Sequence, residues 1–566
     1  MINVLIYWLY IILVICIAFI PGFAIANRIK NLSDIEQLAI SFGFSFLIII
    51  LLTPLFAFKL DLVARIIFIL IFVISLLYLK NQKFKLNSEV NFLTLILIIS
   101  LVSKFFIQTL WEYPVMGGDW YGHTLIRPYR FDIGDWTPPR DRTPLFNLLI
   151  YAYHHLLGTS LYQFWISQII SVVANSVFIV PAYLIAKRVF GNNIARISVA
   201  FMIITPFLVE NAIYTWPKNM AAYFTLLMIY FLFFSENENK KLHYTLAGVF
   251  SALGFLTHNY VMFYIIVSII ALIYVKKVHN QSPMVSLQRF LKSKYIYYFI
   301  AMVVVVIPYL LWMYSFYGTI STSKFIYYPF AVEGYDAALN GTTQELFNTF
   351  YNTPIQQIIG IRIINAVVTL TPAALPINPV ATHFRTYNPI YYYSHDYPGA
   401  LSTLMYILIV TWFFKYLLKK TKTSSVLVMF VVLPFIITLF MWGWREWGLV
   451  TQTLHPTVPI LIMFGFNELC KLYNQKLRSV FLYLVFIGCL IEDMIYGVLI
   501  NNFYQLGGGL DEVARGICRY IQSFQIYEFV SAHFLLSTNA DFLFNLIISI
   551  GVIMITIHTY SHSSKT

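Results

Sequence analysis

Residues 117–130, Gly-Gly-Asp-Trp-Tyr-Gly-His-Thr-Leu-Ile-Arg-Pro-Tyr-Arg, put a carboxylate, a histidine and two arginines just beyond the end of an apolar stretch. If Asp119 to Arg127 is helical, Asp119, His123 and Arg127 fall at i, i+4 and i+8 and share one face. Gly117 and Gly118 allow backbone to approach a ligand closely. Pro128 is expected to limit the helix on its C-terminal side. Arg130, Asp132, Asp135, Arg140, Asp141 and Arg142 follow, then Thr143-Pro144-Leu145-Phe146. An acid beside several cations at a membrane edge suits transfer of a group from a lipid phosphate. Asp119 would accept the proton of an acceptor hydroxyl. Arg127, Arg130 and Arg142 would hold the departing phosphate, since a guanidinium grips two oxygens at once.

Other polar residues join this set. Lys218, in Thr215-Trp216-Pro217-Lys218-Asn219, is either a snorkelling anchor or a phosphate contact. His258 closes a turn between two apolar runs, where an ionisable group is a functional candidate. Arg445 either pairs with Glu446 or meets substrate. His455, followed by Pro456 and Pro459, is expected inside a span, about two helical turns deep. Lys104 is expected to snorkel from the outer end of its span. His123 is either a hydrogen-bonding residue or a metal ligand with Asp119. Two candidate ligands are a weak metal signal, and the residues imply no firm cofactor.

The elements that must position these residues are apolar helices. The chain has 566 residues, 59% hydrophobic and 11% charged, against about 25% charged in soluble proteins. Windows long enough to cross a bilayer recur, whereas a β-barrel would alternate apolar and polar residues. The expected fold is an all-α polytopic membrane protein with about 13–15 transmembrane helices. Expected spans are 4–24, 36–58, 61–79, 91–110, 160–186, 192–214, 218–235, 243–258, 259–275, 295–316, 398–418, 424–443, 449–469, 478–499 and 541–558. Residues 4–24 read as a retained span, with no Lys or Arg ahead of them.

The net charge of +13 does not imply nucleic acid, because most Lys and Arg sit in short linkers on one side of the spans, the pattern of cytoplasmic loops. The long segments 111–159, 317–397 and 500–540 fall on the other side. The organisation expected is N-terminal spans in 1–110, an outer catalytic loop in 111–159 with a helical run from Leu145 to Leu157, and a transmembrane core in 160–316. A large outer loop in 317–397, spans in 398–499, and an outer loop with a last span in 500–566 complete it. Tyrosines such as Tyr391-Tyr392-Tyr393 read as an interface belt or as part of a functional loop. Cys16, Cys470, Cys489 and Cys518 show no disulfide or zinc spacing.

Gly118-Asp119-Trp120-Tyr121-Gly122-His123, the later Arg142-Thr143-Pro144-Leu145-Phe146-Asn147, Tyr214 to Tyr223, Gly254-Phe255-Leu256-Thr257-His258 and the Arg445 to Pro459 stretch together resemble the GT-C superfamily of membrane glycosyltransferases. That group includes protein O-mannosyltransferases and lipid A aminoarabinose transferases. The resemblance spans roughly residues 100–470. It implies a GT-C-like core with outer-face loop helices, a sugar donor carried on polyprenyl or dolichyl phosphate, an outward-facing site and Asp119 as the acid-base residue. Trp120 stands where the group usually has a second acid. Three or four spans precede the Asp119 loop where one is usual, and Ile20-Pro21-Gly22-Phe23 with Glu36 to Ser45 is similar to the N-terminal extension of a prokaryotic branch.

The expected activity is therefore glycosyl transfer at the non-cytoplasmic face of the plasma membrane. The partners are membrane lipid, a polyprenyl-phosphate sugar and a glycan, lipid or protein acceptor. A transporter or flippase of lipid-linked sugar would need polar groups at the midplane and access from both sides. An O-antigen ligase or polymerase-like enzyme would use lipid diphosphate and no essential Asp.

Overall fold

The computed structural model describes residues 2–82, 87–108, 124, 126–139, 143–161, 163–213, 216–235, 239–277, 294–320, 324–334, 337, 341–370, 422–443, 453–471 and 478–487. Helices are the only regular elements among them, with no strand. The chain is an all-α polytopic membrane protein. Six described helices are long and apolar enough to cross a bilayer, and several shorter apolar ones accompany them. The expected spans 398–418 and 541–558 lie outside the described residues.

Helices α1 (Ile2–Arg28) and α2 (Asp34–Leu51) form a tight antiparallel pair. Ser33 and Glu36 start α2 with reciprocal side-chain to backbone hydrogen bonds, satisfying amides that no helical carbonyl reaches. At the crossing, the Gly22 amide donates to Ser45 Oγ at 2.8 Å. A Cβ on Gly22 would lie 1.8 Å from the Ser41 carbonyl oxygen. Helix association in lipid depends on such close backbone approach, because lipid tails are as apolar as side chains. Short α3 (Thr53–Ala57) leads to α4 (Asp61–Lys80), and α5 (Ser88–Gln108) follows.

The central helices are α8 (Phe164–Ser176), α9 (Ile179–Phe190), α10 (Asn192–Met202), α11 (Pro206–Ile213) and α12 (Lys218–Ile229). A wider turn carries α12 on through Phe234. Residues 165–186 are wholly buried, whereas α4 and α15 (Ile296–Tyr317) bury only 17% and 11% of their apolar windows. Leu70, Ile74, Val304 and Leu311 point outward, as residues facing acyl chains do. Helices α13 (Lys240–Thr257) and α14 (Val261–Lys277) complete this part of the bundle. Gly248 lets α13 meet α15, where an added Cβ would lie 2.2 Å from the Tyr298 carbonyl oxygen. Later elements are α16 (Thr343–Asn352), α17 (Ile355–Leu370), α18 (Lys422–Met441), α19 (Thr457–Cys470) and α20 (Arg478–Ile487).

The expected 36–58 and 160–186 spans are Asp34–Ala57 and Trp165–Phe190, each long enough to cross although helical bonding is interrupted at Leu52 and at Val177–Phe178. The 192–214 span divides at Ile203–Thr205. Pro54 and Pro206 follow the first and last of these points closely. Proline removes an amide donor and disfavours helix at the preceding residue.

Contacts between linkers sort the ends of the helices. On one end Lys187 pairs with Glu89 at 2.6 Å, Asn87 donates to Asp34, Tyr78 to Asn27 and Tyr230 to Glu36. On the other, the Lys59 to Asp61 turn meets Asp132 and His155. The first set joins the linkers rich in basic residues, and the second joins the turn before α4 to the loop that follows α5.

Candidate active site

Helices α12, α14 and α19 begin beside one another, and three of the expected site residues lie at or just ahead of their starts: Lys218 begins α12, His258 precedes α14 and His455 precedes α19. Tyr260 ties them together. Its hydroxyl donates to the Lys218 carbonyl at 2.6 Å. Its ring lies 4.8 Å from that of His258 and stacks on His455 at 6.2 Å. His455 Nδ1 and Asn219 Oδ1 are 3.0 Å apart, so Nδ1 carries the proton and donates. Asn219 in turn donates from Nδ2 to the Leu208 carbonyl at 3.0 Å. One turn on, Tyr264 donates to the Thr453 carbonyl at 3.1 Å and meets Thr457 Oγ1 at 2.8 Å.

Lys218 corrects an expectation. It is 2% exposed and does not snorkel. Its Nζ lies 3.3 Å from the centre of the Trp216 ring, a cation–π contact that in a dry site contributes about 2 kcal/mol. The three helix starts add partial positive charge from their aligned peptide dipoles. A buried lysine, two imidazoles and three such starts therefore converge, a setting that favours a bound anion.

At roughly 1.5 Å per residue, Lys218–Phe234 and Val261–Lys277 extend about 25 Å and Thr457–Cys470 about 21 Å. All three are several ångströms shorter than a hydrocarbon layer of about 30 Å.

His455 corrects a second expectation. It precedes α19, with Pro456 as the capping residue and Pro459 in the first turn, where missing amides cost nothing. Lys104 is a third correction. It is 1% exposed, and its ammonium turns inward to Ser100 Oγ at 2.7 Å and Ser176 Oγ at 3.1 Å. Adjacent Asn175 accepts from the Met220 amide at 2.9 Å, so Lys104 is linked through α8 to the start of α12. Pro128 is a fourth. It sits in the first turn of α6 (Arg127–Asp132), and the helix runs on past it.

Arg127 is half-buried on α6 and Arg130 is exposed. Hydrogen bonds from Thr137 hold the Asp135 carboxyl below its ordinary value, and the nearby Arg130 charge adds to this. The loop after α6 is fastened to α15: Trp312 Nε1 donates to the Trp136 carbonyl at 2.9 Å and Tyr317 to the Pro138 carbonyl at 2.6 Å. The helical run expected from Leu145 to Leu157 is α7 (Leu145–Leu157), ended by Gly158 at φ 69°. Asp119, His123, Arg142 and Arg445 lie outside the described residues.

Thus the structure gathers Lys218, His258 and His455 and holds Arg127 and Arg130 on a separate short helix. Sequence reasoning missed Tyr260, Asn219 and Tyr264. The spacing of Tyr260 and Tyr264, one turn apart directly after His258, was the available signal, and an interface-belt reading of the tyrosines hides it.

Residues 141–312 match the family model described as dolichyl-phosphate-mannose-protein mannosyltransferase. The match covers that segment alone, a minority of the chain, and marks it as similar to this family. The matched segment holds Lys218 and His258, while Asp119 precedes it and His455 follows it. Among solved structures, the chain is similar to ArnT from Cupriavidus metallidurans bound to undecaprenyl phosphate, at 13% identity and a TM-score of 0.47, over 83% of this chain and 78% of that one. It is also similar to the archaeal oligosaccharyltransferase AglB from Archaeoglobus fulgidus in complex with an inhibitory peptide and a dolichol-phosphate, at 12% identity and a TM-score of 0.41, over 72% of this chain and 55% of that one. No curated protein matches the chain by sequence.

Proposed function

We propose that the protein moves one sugar from a polyprenyl or dolichyl monophosphate to an acceptor hydroxyl on the non-cytoplasmic face, with inversion and without a metal. The acceptor oxygen bonds to the anomeric carbon as Asp119 takes its proton. The bond from that carbon to the phosphate oxygen breaks, and the lipid phosphate leaves as an anion. Lys218, His258 and His455 hold that anion at the cluster, and Arg127, Arg130, Arg142 and Arg445 hold it from the loop side. His123 orients Asp119 or the sugar. Loop 317–397 covers the donor or shapes the acceptor groove.

The observation that carries this reading is the meeting of three helix starts with Lys218 and two imidazoles. Because these helices are shorter than a hydrocarbon layer, a prenyl phosphate would keep its tail in hydrocarbon while its headgroup reaches the cluster. The family description, which names a dolichyl-phosphate sugar, supports the same donor class. Excluding water there strengthens each charge interaction along the reaction.

The test is Asp119→Asn in purified, folded protein given labelled lipid-monophosphate sugar. Loss of a proton-accepting group is expected to slow transfer about 10²–10⁴-fold. Undiminished transfer would overturn the assignment. Faster transfer from a lipid diphosphate than from a monophosphate would instead favour a ligase-type or polymerase-type reaction.

A further inference from the structure

Two adjacent histidines on α7 reach the two ends of one segment. His154 is fully buried, with Nδ1 at 3.0 Å from Thr159 Oγ1 and Nε2 at 2.8 Å from Ser167 Oγ. Ser167 Oγ donates onward to the Thr124 carbonyl at 3.4 Å. His154 thus ties Thr159 to Ser167, and through Ser167 to Thr124.

His155 points elsewhere. Its Nδ1 is 2.5 Å from Asp61 Oδ1 and its Nε2 is 3.1 Å from Asp132 Oδ1. Ionised carboxylates only accept, so a ring set between two of them donates from both nitrogens and carries a charge. Lys59 donates to the Asp132 carbonyl at 2.9 Å, Arg65 donates to the His155 carbonyl at 2.7 Å, and the Tyr151 ring lies 4.2 Å from that of His155.

We infer that His154 and His155 are positioning residues that grip the 124–132 segment at both ends and so set where Arg127 meets the donor phosphate. The segment follows directly on the Asp119 to His123 stretch and contains all of α6. His154 fixes its start through Ser167, and His155 fixes its end through Asp132. The anchor for the second grip, Asp61, belongs to α4. The helices ahead of α5 therefore act as a buttress for the loop that carries the reacting groups. The inference rests on the reading of Arg127 as a phosphate contact.

The test uses the full-length protein in nanodiscs, with His155→Gln and His155→Lys. Hydrogen exchange is read over 126–132, with 218–229 as an internal control, and kinetics are read with labelled lipid-monophosphate sugar. His155→Gln is expected to speed exchange over 126–132 by roughly tenfold. It should also raise the donor KM about tenfold while kcat stays within about twofold, the mark of misplaced binding groups rather than lost chemistry. His155→Lys keeps the charge between the two carboxylates and should bring both readouts most of the way back. Wild-type exchange and KM in His155→Gln would overturn the inference, as would His155→Lys being equally impaired. Faster exchange in the 218–229 control would also overturn it, by revealing general loosening. If the wild type transfers no sugar, the functional reading fails while the exchange experiment still decides the grip.

Discussion

The cluster around Tyr260 and the cluster around His155 use the same cationic side chains in opposite surroundings. At His155, the imidazole lies between the Asp61 and Asp132 carboxylates, and Lys59 and Arg65 donate to the backbone carbonyls of Asp132 and His155, so positive charge sits beside the protein's own acids. At Tyr260, Lys218 rests on an aromatic face, His455 meets an amide, and three helix starts add partial positive charge. Lys218 and His455 are buried there and His258 is half-buried, so a charge counts for more than it would in water. The lesson is that a cation's surroundings, more than its identity, separate a structural tie from a ligand site.

Substitution can break that contrast, most strongly at Lys218. Lys218→Met keeps the side chain's bulk and removes the charge. Loss of one charge-assisted hydrogen bond to phosphate is expected to lower kcat/KM for the lipid donor by about 10–100-fold. The melting temperature should hold or rise, because a buried ammonium no longer has to be accommodated. Kinetics beside calorimetry in one detergent would check both halves. Asp61→Asn should do the reverse and chiefly cost stability, about 1–2 kcal/mol, read as a lower melting temperature.

The smallest effect is a slope. Burial, helped by the charge of neighbouring His155, pushes the His154 ring down to about 3 from its ordinary 6.5. Between those values the unfolded chain binds a proton that the folded protein refuses. This contribution is therefore present above about pH 6.5 and is lost as pH falls toward 3, at up to about 1.4 kcal/mol per pH unit. His154→Asn should flatten the pH dependence of thermal stability across that window.

Much of the bundle was legible because apolar runs of the right length have few alternatives in a membrane. Helix α7 was legible to the residue, since Pro144 and Gly158 bracket an apolar run. Burial was not legible. Helices α4 and α9 are similarly apolar, yet one faces lipid and the other is enclosed, and composition cannot separate acyl chains from neighbouring helices as the surrounding medium. Lys104 was misread for the same reason: a lysine near a helix end snorkels only if water is within reach, and here Ser176 was nearer. His258 and Lys218 stood out because polar residues at helix starts are rare in so apolar a chain. Tyr260 did not, because tyrosine is common throughout it.

The unequal lengths of the helices carry one more consequence. With 20 residues in α4 and 22 in α15, the lipid-facing perimeter is about 30–33 Å tall, while the interior helices that begin at Tyr260 are several ångströms shorter. Hydrophobic mismatch with a thicker or thinner bilayer is therefore met by tilting of the perimeter. Helices α12 and α19 are almost wholly covered by their neighbours, so a change in membrane thickness acts first on the outer wall and leaves these two in register.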